Sequence, residues 1–193
     1  DLPRLFTHPL AADAQGTVSW WPDGADWHIQ GSGLTLANAD LSAQARFDLT
    51  LPQDASTPLL DLVVTLTRGR AEAVPRYLPT HITNPALVAW LNRAAMTGHI
   101  DQGVVIVQGP LADFPYDEHP TGRFQAQLQV ADAALTYHPR YPRLRELDAT
   151  LNFEARALDI QVARGKTLDA QLAAVHLHIA QLRQTGVLEV TGT

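Results

Sequence analysis

The chain has 193 residues, 46% of them apolar, with 14 basic against 20 acidic side chains and no cysteine. This size and composition predict one domain, or two small ones, with a hydrophobic core that buries roughly 70% of the unfolded surface. The net charge of −6 would repel a phosphate backbone, which argues against a nucleic-acid partner. The lack of cysteine excludes disulfides, thiolate nucleophiles and cysteine-ligated zinc.

Neither a membrane span nor a signal peptide is visible in the sequence. No apolar run approaches the roughly 18 residues that a membrane-spanning helix requires, and the opening residues DLPRLFTHPL lack a basic segment followed by an apolar one. The last residues, VLEVTGT, resemble a strand without a closing element. We therefore expect the chain to be a piece of a larger protein.

Alternation of apolar and polar residues predicts β-strands along most of the first hundred residues. Turn-forming residues at 22–24 and 31–33 are expected to separate the N-terminal strands, and the glycines of 31–33 are interpreted as a hairpin turn. In chain order, the strands in this part are predicted at 18–20, 26–30, 34–36, 45–51 and 59–67, and the next at 99–108.

One segment has the helical period instead. Apolar residues at Leu87, Trp90, Leu91 and Ala94 follow three-and-four spacing, with a proline near the start and Gly98 after the end. This pattern predicts one amphipathic helix over about 84–97. A helix this short needs a packing partner, so its apolar stripe is expected to lie on a sheet face.

The second half of the chain returns to period two after a distinctive loop. The loop, at 109–122, contains Phe114, Pro115 and Tyr116, which we interpret as anchors that fold the chain back onto the sheet. Three strands are then predicted at 123–130, 147–153 and 158–162. Their apolar residues on one face are Phe124, Ala126, Leu128, Val130, Leu147, Ala149, Leu151, Phe153, Leu158, Ile160 and Val162.

Together these patterns predict a mainly β fold. Roughly ten strands joined mostly by tight turns favour an antiparallel meander, forming a curved sheet or an open groove with one amphipathic helix packed on it.

Candidate reactive groups are few, and each has an ordinary structural explanation. His176 and His178 would share one strand face, as in some metal sites, but no third ligand is near in sequence and an exposed strand face explains them. Asp113, Asp117 and Glu118 could form a carboxylate or calcium site, yet they lack the EF-hand order and suit a solvated loop. We therefore predict no metal site and no cofactor.

Other patterns also fail to predict catalysis. No serine lies in a nucleophile elbow, and the glycines at 31–33 do not open a helix that could bind a phosphate. Trp20, Trp21 and Trp27 could stack on sugars or bases, but without basic neighbours local core packing is the preferred explanation. We expect no catalytic residues and no enzyme activity.

Several motifs follow one another in a specific order: Tyr77-Leu78-Pro79, the helix with Trp90-Leu91 and residues 94–98, the segment 109–116, Gly122-Arg123-Phe124 and the segment 137–144. This order resembles the periplasmic part of large members of the AsmA-like family of Gram-negative envelope proteins. The resemblance is specific over about 74–168 and departs once, where a Tyr141-Pro142 pair replaces the expected Trp-Pro.

The resemblance implies a segment of a long inner-membrane-anchored protein that extends through the periplasm and carries phospholipid towards the outer membrane. It implies an N-terminal strand region at 1–73 that continues the sheet and a family segment at 74–193. The alternative is that these two regions form one continuous domain. Structural anchors are expected at Trp90, Leu91, Phe114, Pro115, Tyr116 and Tyr141.

Two functions remain open at this point. The apolar faces at 124–130, 147–153 and 158–162 could floor an open groove for the acyl chains of phospholipid, or they could close into a sealed core of a structural or protein-interaction module. Expected partners are phospholipid, neighbouring segments of the same long chain, and a second copy paired through edge strands when the piece is isolated.

Overall fold

The fold is a single antiparallel β-sheet. The computed structural model describes residues 11–54, 56–78, 89, 96–136, 140, 142–182 and 188–191. Within them, ten strands lie side by side in chain order. The strands are β1 (Asp13–Asp23), β2 (Asp26–Ala37), β3 (Leu41–Pro52), β4 (Leu59–Arg70), β5 (Thr97–Pro110), β6 (Arg123–Leu135), β7 (Leu144–Glu154), β8 (Ala157–Thr167), β9 (Ala170–Ile179) and β10 (Leu188–Thr191). The predicted antiparallel meander is confirmed.

The sheet is open. Among the described strands, β1 pairs with β2 alone and β10 with β9 alone, so the two ends of the strand order do not meet. Two short 3₁₀ helices, Ala71–Tyr77 and Leu111–Asp113, follow β4 and β5. Most of the helix predicted at 84–97 lies outside the described residues. Of the residues that are described, Ala89 is helical, Met96 belongs to no helix or strand, and Thr97 begins β5. The division predicted between 73 and 74 falls between β4 and β5, which pair along their length.

One face of the sheet is apolar across the strands, because antiparallel partners in register project to the same side. Apolar residues face one another from strand to strand, as in the row Ala45, Val64, Val105, Ala126, Phe153, Leu158 and Ile179. The next row runs through Ala43, Leu66, Gly103, Leu128, Leu151, Ile160 and Leu177. We refer to this side as the apolar face.

The opposite side, the polar face, is held by hydrogen bonds between side chains that lie directly opposite in register. Gln127 donates to Asn152 at 2.8 Å across β6 and β7, and Gln102 donates to Gln129 at 2.7 Å across β5 and β6. Gln108 donates to Asp61 at 3.1 Å across β4 and β5. These bonds help to fix the register. A slip by one residue would break them and would also turn every apolar side chain to the polar side.

A line of bulges crosses the sheet. Extra residues interrupt the ladders between Gln15 and Thr17, between Val130 and Ala133, and in β7 between Arg145 and Asp148. Two of the bulged residues have positive φ within strands, namely Asp132 (47°) and Glu146 (51°). Bulges bend a strand and increase its twist, so the strands bend at a similar level.

The core differs from the one that the composition predicts. The chain exposes 12242 Å², whereas a compact monomer of this mass exposes about 9,000 Å². The difference follows from the architecture, because the main contacts among the described elements join neighbouring strands within one layer. The buried residues Ala133, Leu147 and Val162 form a thin cluster on the apolar face.

Two interpretations from the sequence are wrong. The glycines at 31–33 do not form a hairpin turn, because they lie inside β2 at a bulge, where Gly33 has a φ of 58°. The tryptophans do not pack in a core: Trp20 is 68% exposed, Trp27 42% and Trp21 39%. They occupy the first two strands of a one-layer sheet, where no second layer is described to cover them.

Candidate functional site

The residues predicted to floor a groove lie together on the apolar face. Phe153 of β7 faces Ala126 of β6 and Leu158 of β8, and Leu151 likewise faces Leu128 and Ile160. Ala126, Leu147, Leu158 and Val162 are buried, whereas Phe124, Leu128, Val130, Leu151, Phe153 and Ile160 are half-buried. The structure therefore brings all ten residues to one continuous surface.

The apolar face extends beyond the ten residues that the sequence predicts for the groove. On one side it continues through Val105 and Val107 of β5 and Leu62 of β4, and on the other through Leu177 of β9. The same alternation is visible in the sequence at 45–51 and 59–67. What the sequence lacks is a sign of which strands lie beside one another.

Glycines on the apolar face make room for larger neighbours. A Cβ atom at Gly31 would come within 2.3 Å of the Phe47 ring, and one at Gly165 within 2.5 Å of Leu147 Cδ2. Side chains from adjacent strands therefore lie over the glycines and keep the surface level where a strand has no side chain.

The loop between β5 and β6 covers one end of the apolar face. The Phe114 ring lies 5.0 Å from the Phe124 ring and 6.0 Å from the Tyr116 ring. A Cβ atom at Gly122 would meet Tyr116 Cε1 at 2.5 Å, so the Tyr116 ring lies over Gly122. Pro115, between the two aromatic residues, is half-buried. The other predicted anchors, Trp90, Leu91 and Tyr141, lie outside the described residues.

The polar face carries a cluster of titratable side chains on β8 and β9. Asp159 Oδ1 lies 3.0 Å from both His178 Nδ1 and His176 Nε2. These contacts, the one with His178 first, hold the pKa of Asp159 below its usual value. In the part of the chain that the structure describes, no cluster of three His, Asp or Glu side chains is arranged to hold a metal ion.

A second carboxylate secures the bulge in β6. Asp148 accepts hydrogen bonds from the Arg164 guanidinium and from the backbone N–H of Asp132, the latter at 3.0 Å. The bond from Arg164, followed by the bond from Asp132, lowers the pKa of Asp148.

The predicted acidic loop residues are structural. Asp113 accepts a hydrogen bond from Thr121 Oγ1 at 2.7 Å, and Asp117 forms an ion pair with Arg156 at 2.6 Å. Glu118 is exposed. A cleft of about 500 Å³ opens elsewhere, beside Thr65, Gln127 and Gln129, and Asp101 is the charged residue in its lining.

Among the described residues, no helix has the length and apolar content needed to cross a bilayer. The chain is 26% identical over 150 residues to the intermembrane phospholipid transporter YhdP of Escherichia coli strain K12. The alignment covers 77% of this chain and 12% of the relative. No solved structure matches the chain. The model of the YhdP protein family matches residues 1–193, well beyond the 74–168 of the sequence resemblance, and the chain belongs to this family.

Proposed function

We propose that this chain is a segment of a phospholipid-transport protein and that its apolar face binds acyl chains. The observation that carries the proposal is the apolar face itself, which runs across the strands of an open, one-layer sheet. Support also comes from the family and from the relative, which is named an intermembrane phospholipid transporter.

The energetics suit a conduit better than a selective pocket. Burying one methylene group contributes about 0.8 kcal/mol, so a chain of many methylenes can be held without specific polar contacts. The side chains at the centre of the face, such as Leu128, Leu151 and Ile160, are half-buried and present hydrocarbon alone. Binding of this kind is weakly selective and allows movement along the surface.

We further propose that the segment works in the periplasm, as part of an inner-membrane-anchored protein that bridges the two membranes of a Gram-negative envelope. The chain spans 12% of the length of its relative, which leaves room for many similar segments. On the outer side of β1 and of β10 no described strand pairs, so these two edges offer backbone groups to neighbouring segments of the same long chain. The role is transport, not catalysis.

Photocrosslinking tests the proposal directly. A photoreactive residue at Leu128, on the apolar face, is expected to crosslink to phospholipid in cells, whereas one at Gln127, on the polar face of the same strand, is not. Native mass spectrometry of the protein purified from cells is expected to show bound phospholipid.

The alternative is a structural or protein-interaction module without lipid binding. Equal crosslinking at the two positions, or crosslinks from Leu128 to protein alone, would favour that module. The open sheet supports the transport proposal over a module with a closed core.

A further inference from the structure

Tyr116 has a buried hydroxyl group without a hydrogen-bond partner. The residue is 6% exposed, and its Oη atom finds no partner among the described residues. Asp61 and Arg156 also have buried polar atoms, but Asp61 accepts a hydrogen bond through its Oδ2 atom, and Arg156 Nε lies 2.6 Å from Asp117 Oδ2. Tyr116 is therefore the buried side chain in this set with no polar contact of its own.

The backbone makes a tyrosine at this position unusual. Tyr116 has a φ of 71°, in the left-handed region that bulky residues rarely adopt. The ring packs over Gly109 and Gly122, which explains why the residue at this position is aromatic. Phenylalanine would pack equally well and would not bury an unpaired hydroxyl, so the hydroxyl itself requires an explanation.

We infer that the Tyr116 hydroxyl donates a hydrogen bond to an ester carbonyl oxygen of a phospholipid whose acyl chain lies on the apolar face. This inference rests on the proposed function. Cε1 of the ring, two bonds from the hydroxyl oxygen, lies against Gly109 and Gly122. These glycines are next to Val107 and Phe124 on the apolar face, so an acyl chain esterified at the bound carbonyl would begin on that face.

The charges around the loop favour a neutral acceptor over a phosphate. Burial, followed by the negative charge of Asp113, raises the pKa of Tyr116, so the hydroxyl stays protonated and can donate. The same negative charge of Asp113 disfavours a phosphate oxygen at this point. The hydroxyl is closed off from solvent, so binding of the carbonyl requires the 109–122 loop, which carries Tyr116, to open locally.

The variant Tyr116→Phe isolates the hydroxyl. The protein, purified as the cell makes it, is titrated with dioleoyl phosphatidylcholine and with the diether analogue of the same chain length, and bound lipid is counted by native mass spectrometry. Loss of one neutral hydrogen bond is expected to weaken binding of the diester roughly three- to tenfold. The diether has no carbonyl, so it should bind wild type and variant equally.

Tyr77→Phe is the matched control. The Tyr77 hydroxyl lies near the other end of the strands and is already paired, accepting from Asn38 Nδ2 at 2.9 Å and donating to Asp40 at 3.4 Å. This variant should bind lipid as the wild type does and lose hydrogen-exchange protection at 38–41. In the lipid-free state, Tyr116→Phe should keep or gain protection at 109–122, because it removes an unpaired group.

Three results would overturn the inference alone: equal diester binding by wild type and Tyr116→Phe, a wild-type advantage that persists with the diether, or lost protection at 109–122 in the lipid-free variant. A wild-type protein that binds neither lipid would overturn the proposed function and this inference together.

Discussion

Leu128 lies over Gly103 on the apolar face. The two residues are partners in register on β6 and β5, and a Cβ atom at Gly103 would come within 2.6 Å of Leu128 Cδ2. The leucine thus fills the space that the glycine leaves, which ties the shape of this surface to one pair of residues.

We expect Gly103→Ala to destabilise the fold, because the new methyl group overlaps a packed side chain. Overpacking of this kind costs about 1–3 kcal/mol, which would show in the free energy of unfolding from denaturant titration. The double variant Gly103→Ala, Leu128→Ala should be less destabilised than the sum of the two single variants. Strict additivity would contradict the proposed overlap.

We expect Phe114→Ala to lower the free energy of unfolding by about 2–3 kcal/mol, below the full cost for a completely buried ring because Phe114 is half-buried. The loss comes from its contacts with the Phe124 and Tyr116 rings. Leu111→Ala, in the same loop at a position 37% exposed, is the control and should change stability little. An unchanged melting temperature for Phe114→Ala would remove the case for this anchor.

Period-two alternation predicted most of the strands and the apolar face, although it divided β2 into two strands at 31–33. At 123–130 the apolar residues alternate without interruption, and β6 begins at Arg123 as predicted. The prediction ended at Val130, whereas the strand continues to Leu135. The reason is the bulge near Asp132, because of which the next residue on the apolar face is Ala133, three positions after Val130, while the hydrogen-bonded ladder continues.

Local sequence cannot show relationships that depend on distant partners. The same three-residue step, from Leu144 to Leu147, left the start of β7 outside the predicted strand. The unpaired hydroxyl of Tyr116 is likewise invisible in sequence, because it depends on which groups the fold brings near the loop. A repeated step of three in otherwise alternating strands is a signal that could have revealed the bulges.

Stability is expected to fall in acid partly through Asp148. Its pKa is lowered in the folded state by the bonds from Arg164 and from the Asp132 N–H. A carboxylate with a depressed pKa stabilises the fold above its unfolded pKa of about 3.9, and the contribution is lost as the pH falls through the folded pKa. The stability difference between wild type and Asp148→Asn should therefore shrink from pH 6 to pH 3, as measured by denaturant unfolding.

Asp169→Asn, in an exposed turn, is the control for the same change of charge. Its difference from the wild type should vary less over this range. A gap between wild type and Asp148→Asn that stays constant with pH would mean that the carboxylate does not secure the bulge through its charge.

Finally, the 193-residue chain produced alone is expected to self-associate through β1. Every residue of this strand is exposed, and Val18 and Trp20 project from it with 46% and 68% of their surface free. An exposed strand edge with apolar side chains pairs readily with a second copy. Light scattering should show a mass that rises with concentration, and Val18→Lys with Trp20→Lys should shift it towards the monomer. The control variant, Thr65→Lys with Gln161→Lys, adds equal charge to exposed positions of inner strands and should associate as the wild type does. A wild-type chain that stays monomeric at about 100 µM, within the range where exposed edges associate, would show that β1 is protected.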